Sequence, residues 1–210
     1  MDTQKGYLLV VEDIPDILNL LDTTLKFKGY RVVTARDGQE ALDIIQKERP
    51  ALIITDILMP KLDGFNLVHR LRINPETRRV PVIFLSATYV APEDKDFALN
   101  IGVTRFIEKP VDLEAFLPLV AELLEQDGVP ATLEPLTGTD FYDGYRKRLE
   151  TKLEQKFTQI ARAEGLLSTL SEDEKPSFMV SLHKAIAERD EIQLLLDQIN
   201  KTMNRKSRTE

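Results

Sequence analysis

The stretch from Ala51 to Gly64, "ALIITDILMPKLDG", decides the fold. Ala51 to Ile54 are four consecutive apolar residues without alternation, the pattern of a strand buried on both faces. The run ends on Thr55 and then on an acid, Asp56. Polar residues commonly end strands, and Asp ahead of a Pro-containing loop is ordinary turn chemistry. In an open parallel sheet, however, ligands sit just outside the carboxyl ends of the strands, so an acid at that point is also placed for chemistry. The surroundings of the stretch decide between the two.

From residue 7 to about residue 126, short apolar runs alternate with amphipathic segments. The runs are "YLLVV", "RVVTA", "ALIIT", "PVIFLS" and "TRFIEK". Between them lie helical patterns such as "PDILNLLDTTLKFKG", with Leu18, Leu21 and Leu25 on one face, and "DGQEALDIIQKE", with Ala41, Ile44 and Ile45. Strands separated by helices in this way specify an α/β fold with a doubly wound, five-stranded parallel sheet, placed at residues 1–127. Asp63 and Gly64 are expected to cap and open the third helix.

After Asp127 the pattern changes. "GVPATLEPLTGT" carries two Pro and two Gly and reads as a linker over 128–138. Beyond it, Tyr142, Tyr145, Leu149, Leu153, Phe157, Ile160, Ala163, Leu167 and Leu170 recur at steps of three or four, as do Phe178, Leu182, Ala185, Arg189, Ile192, Leu196, Ile199 and Met203. Both stripes average close to a coiled-coil heptad. "SEDEKPS" separates them, with Ser171 as a cap and Pro176 early in the next helix. Residues 139–210 therefore read as an α-helical hairpin with a basic tail. A lone helix pair leaves apolar surface wet, so the expected state is a homodimer closed into a four-helix bundle.

Composition excludes whole classes of chemistry. Among 210 residues there is no cysteine, which removes disulfides, thiolate metal sites and thiol nucleophiles. The apolar run near the N-terminus, Tyr7 to Val11, is too short for a signal peptide or a membrane span, so a soluble, cytoplasmic protein is expected. The formal charge is −7, and from Gly128 onward 13 Lys and Arg face 14 Asp and Glu, which disfavours binding to nucleic acid through phosphate contacts.

The polar residues that follow the apolar runs form a pattern of their own. Glu12 and Asp13 end the first strand, Asp56 the third, Ser86-Ala87-Thr88 the fourth, and Glu108-Lys109-Pro110 the fifth. A doubly wound sheet gathers all of them at one edge. Three carboxylates brought together repel one another unless a cation sits between them, and a hard, oxygen-ligated divalent ion, Mg²⁺, meets that need. A carboxylate can attack phosphorus, and Mg²⁺ with Lys109 can stabilise the charge on the transferring phosphoryl oxygens. Ser86 can donate a hydrogen bond to such an oxygen. Lys109-Pro110 is a candidate cis peptide.

"LLVVED", "IITDILMPKLDG", "VIFLSA" and "FIEKP" resemble, in order and spacing, the motifs of the receiver domain of two-component response regulators, over about residues 5–126. The resemblance implies the flavodoxin-like receiver fold and a phosphoprotein of a phosphorelay in which Asp56 takes a phosphoryl group from a histidine kinase. It further implies Glu12, Asp13, Asp56 and the backbone carbonyl of Leu58 as Mg²⁺ ligands. Ser86, with Ala87 beside it, and Lys109 would contact the phosphate, and Phe106 would be the switch aromatic. Ser86 and Phe106 stand where the family more usually has Thr and Tyr. Such a protein is not an enzyme beyond self-catalysed phosphorylation and dephosphorylation.

The output has no motif. The leading expectation is that phosphorylation repositions the receivers on the helical dimer, which acts by contact with an unidentified downstream protein. One alternative is a relay that passes the phosphoryl group on to His183, although His183 lies one step off the seam and reads more simply as a surface residue. Another is a DNA-binding regulator with a divergent output. His69, in "NLVHRLR", reads most simply as a helix residue. Arg189, on the apolar stripe, either reaches out to solvent or pairs across an interface.

Overall fold

A computed structural model describes residues 6–86, 92–125, 136, 138–167, 171 and 175–206. In the first part of the chain β1 (Leu8–Val11), β2 (Val32–Ala35), β3 (Leu52–Asp56), β4 (Val82–Ser86) and β5 (Arg105–Glu108) alternate with α1 (Pro15–Phe27), α2 (Gly38–Ile45), α3 (Gly64–Ile73), α4 (Pro92–Asn100) and α5 (Leu113–Glu125). The five strands form one parallel sheet in the order β2-β1-β3-β4-β5. The chain leaves β1 to opposite sides to build β2 and β3, so the switch point lies where β1 and β3 adjoin.

The unalternating apolar runs become the strands in the middle of the sheet. β1, β3 and β4 are buried along their whole length, as strands covered by helices on both faces must be. At the edges, β2 is half-buried with Ala35 fully buried, and β5 is half-buried to exposed. One face of the sheet packs Leu8, Val10, Leu52, Ile54, Ile83 and Leu85 against Leu18, Leu21 and Leu25 of α1 and Phe116, Val120 and Leu123 of α5. The helices start where short polar side chains or proline favour it. Pro15 occupies the first position of α1, Asp37 caps α2 by accepting from the amides of Gln39 and Glu40, and Asp63 caps α3 by accepting from the amide of Asn66.

α3 is fixed by a buried cation. Arg72 is 3% exposed, and its guanidinium donates to the carbonyls of Gly102 (2.6 and 3.1 Å) and Val80 (2.9 Å). Burial pulls its pKa down to about 10.

α6 (Gly138–Leu167) and α7 (Lys175–Lys206) form the helical hairpin. The chain divides into two compact units, Met1–Leu136 and Thr137–Glu210. Most of the expected linker, and Leu170, lie outside the described residues. Pro176 is the second residue of α7.

The seam differs from the sequence expectation in two places. Phe141, fully buried, replaces Tyr142, and Phe157 is 50% exposed. From Phe141, steps of four through Tyr145 and Leu149 carry the buried line to half-buried Leu153, and the next step of three reaches Lys156 instead of Phe157. Lys156 pairs with Glu188 of α7 at 2.5 Å, and the line resumes at Ile160 against Leu182 and Ala185. Phe157, one residue off, is covered by the Arg189 guanidinium at 5.8 Å, and Arg189 also pairs with Asp190. His183 is exposed, off the seam as its position suggested. No helix among the described residues is long and apolar enough to cross a membrane.

Candidate functional site

The acids and the lysine arrive at one sheet edge because each sits at or just past the end of a strand. Asp56 is the last residue of β3, Glu12 and Asp13 follow β1, Ser86 ends β4, and Lys109 follows β5. Parallel pairing keeps these ends level: Asp56 lies beside Leu85, and Ser86 beside Glu108. The amide of Lys109 donates to the carbonyl of Ser86 at 2.6 Å, which continues the β4–β5 ladder up to the lysine.

Side-chain oxygens of Glu12, Asp13 and Asp56 all lie within 4.8 Å of one another. Glu12 and Asp56 are buried, while Asp13 faces solvent. Lys109 Nζ is 2.6 Å from Glu12 Oε2 and 3.3 Å from Asp56 Oδ2, and its side chain is 8% exposed. The remaining oxygens are held by backbone: Asp56 Oδ1 accepts from the amide of Ile57 at 2.8 Å, and Glu12 Oε1 from that of Ile14 at 3.3 Å.

This is an electrostatically loaded site. Burial pushes the pKa of Asp56 up, against the opposing pull of Lys109 and the Ile57 amide. Burial does the same to Glu12, where the Lys109 hydrogen bond opposes it and the charge of Asp56 adds to it. One lysine thus leaves buried negative charge only partly compensated. The donors are hard carboxylate oxygens, a set that suits a divalent cation of the Mg²⁺ type and offers nothing to soft metals.

A response regulator receiver domain model matches residues 8–121. The chain belongs to that family. The receiver is 41% identical over 110 residues to the probable transcriptional regulator ycf27 of Porphyra purpurea, covering 52% of this chain and 44% of the relative. It is 38% identical over 135 residues to the transcriptional regulatory protein GlrR of Escherichia coli, covering 64% of this chain and 29% of that one. The chain therefore spans less than half the length of these relatives. Among solved structures, the chemotaxis response regulator CheY4 of Vibrio cholerae superposes with a TM-score of 0.53 at 34% identity, covering 56% of this chain and 98% of CheY4. The family match ends before α6 begins.

Other residues singled out from sequence take their places around the receiver's acidic cluster. Leu58 is half-buried in the loop two residues past Asp56, and Ser86 is buried. Ala87 lies outside the described residues. The Lys109–Pro110 peptide is cis. Phe106 is half-buried on β5, its ring edge-on to Phe84 at 6.2 Å, with Lys95 Nζ 5.9 Å from the ring centre. Lys95 also pairs with Glu108 at 2.9 Å.

Gly64 has a role beyond opening α3. Its amide donates to Ile57 at 2.8 Å, and a Cβ there would run into the backbone carbonyl of Asp56. Only glycine lets α3 start this close beneath the site. Sequence reasoning placed Asp63 and Gly64 as a cap but had no means of seeing that approach, and it singled out neither Lys61 nor Arg72.

Proposed function

We propose that Asp56 is the phosphoacceptor of a two-component response regulator, taking the phosphoryl group from a histidine kinase with Mg²⁺ bound at the acidic cluster. The observation that carries this is the pairing of a buried strand-end carboxylate with a buried lysine 3.3 Å away, beside two further acids. In the transfer an Asp56 carboxylate oxygen forms a bond to phosphorus while the donor's P–N bond breaks. The electron pair leaves with the imidazole nitrogen, which takes up a proton. Glu12, Asp13, Asp56 and the Leu58 carbonyl would hold Mg²⁺, which when bound supplies positive charge to the phosphoryl oxygens. Lys109, already between Glu12 and Asp56, supplies a second cation, and the Ser86 hydroxyl a hydrogen bond. Phe106 then repacks toward the loaded site, which transmits the change to the outer face of β5.

The output is proposed to be protein contact through the hairpin at residues 139–210, working as a homodimer in the cytoplasm. The near balance of 13 basic against 14 acidic residues from Gly128 onward favours this over a DNA-binding output. Incubating the full chain with Mg²⁺ and a small-molecule phosphodonor tests the phosphoacceptor. Wild type is expected to incorporate acid-stable, base-labile phosphate and Asp56→Asn none. Equal labelling of the variant would overturn the assignment.

A further inference from the structure

The loop of residues 57–63 runs from Asp56 to α3 and carries Leu58, whose carbonyl completes the proposed Mg²⁺ ligand set. The loop starts at the site, where the amide of Ile57 donates to Asp56 Oδ1, and its two ends are tied to each other by the Gly64 amide, which donates to the Ile57 carbonyl at 2.8 Å. The middle is tied to α2. The amide of Gly38 donates to the carbonyl of Leu62 at 2.9 Å, and Lys61 Nζ donates to Asp37 Oδ2 at 2.6 Å. Asp37 is 3% exposed and divides its carboxylate, using Oδ1 to cap its own helix at 2.9 Å from the Gln39 and Glu40 amides and Oδ2 to hold Lys61.

The backbone at Lys61 is the unusual feature. Its φ of 62° lies in the left-handed region, where a residue with a Cβ is strained and glycine or asparagine is favoured. The Lys61 side chain is 70% exposed, so packing gives no reason to keep a lysine there. With the lysine end of the pair this open to solvent, the pair adds little to global stability. What remains is the local effect of the pair, which fixes the loop three residues from Leu58.

We propose that Lys61 is a positioning residue for the metal site: its ion pair with Asp37 steadies the β3–α3 loop, which carries Leu58. Mg²⁺ demands near-ideal octahedral geometry, so a carbonyl ligand on a loose loop binds it poorly. The proposal rests on the Mg²⁺ reading above and names a residue pair that supports the loop carrying one of the ligands.

The test is calorimetric titration of Mg²⁺ into the full chain, with a thermal melt of each protein in chelator. Lys61→Asn suits the left-handed backbone but removes the cation, and Asp37→Asn keeps the helix cap but removes the charge. Each is expected to bind Mg²⁺ about tenfold more weakly, the lower end of what outer partners of metal ligands contribute. Melting in chelator should stay within a few degrees of wild type, and Lys61→Arg should restore the affinity. Wild-type affinity in Lys61→Asn would overturn the proposal, as would a weakening matched by a large loss of stability and not rescued by arginine. A wild type that binds no Mg²⁺ would overturn the metal site itself, and the positioning role with it.

Discussion

Asp56 and Glu12 are ionised at a cost, because burial pushes both above the ordinary carboxylate range. For an acid whose pKa is raised by folding, the unfolded chain releases its proton first. Stability therefore falls as pH rises from the ordinary value through the raised one, and the loss is complete above it. In chelator, Asp56→Asn should accordingly melt a few degrees above wild type at neutral pH, an advantage that shrinks to nothing below about pH 4. Saturating Mg²⁺ should reverse the order, because a ligand at a hundred times its Kd stabilises the state that binds it by about 2.7 kcal/mol. Melts at two pH values, with and without Mg²⁺, check both signs. The acids and Lys109 were legible in the sequence because each sits at or just past the end of a recognisable strand, and the strand end fixes the place. The Asp37–Lys61 pair was not, since its members are 24 residues apart in different loops and no periodicity links them.

At the scale of the element, Arg72 shows what a helix pattern conceals. In "NLVHRLRI" it reads as a basic residue favouring the C-terminal end of α3, yet its guanidinium is buried on carbonyls 8 and 30 residues away. Arg72→Ala leaves those carbonyls without their donor and opens a cavity, so it is expected to cost about 3 kcal/mol. Urea unfolding of the full chain measures this, and a loss indistinguishable from zero would show that the guanidinium is replaceable by water. The central strands were legible because a strand covered on both faces needs an unbroken apolar run, and chance seldom supplies five in alternation with helical patterns. The hairpin seam was legible only to within one residue. Phe157 and Lys156 are neighbours, and hydrophobicity favours the phenylalanine for the seam, whereas the geometry puts the lysine there with Glu188 as its partner.

For the whole molecule, the proposed homodimer draws on apolar surface that the hairpin does not use itself. On α7, Val180 and Leu194 are 70% and 59% exposed, and their spacing of two heptads places them on one face. Val180→Glu with Leu194→Glu should give a monomer by light scattering with unchanged helicity, while the receiver still accepts phosphate. A double variant that remains dimeric would move the interface elsewhere. Signalling through this receiver depends, on the proposed function, on one covalent bond, and that bond can be located directly. After incubation with Mg²⁺ and a phosphodonor, borohydride reduction converts an acyl phosphate on aspartate to homoserine, which peptide mass spectrometry assigns to a position. Homoserine at residue 56 and at no other acid is the expected result; homoserine at residue 13, or none with phosphate found on His183, would contradict the account.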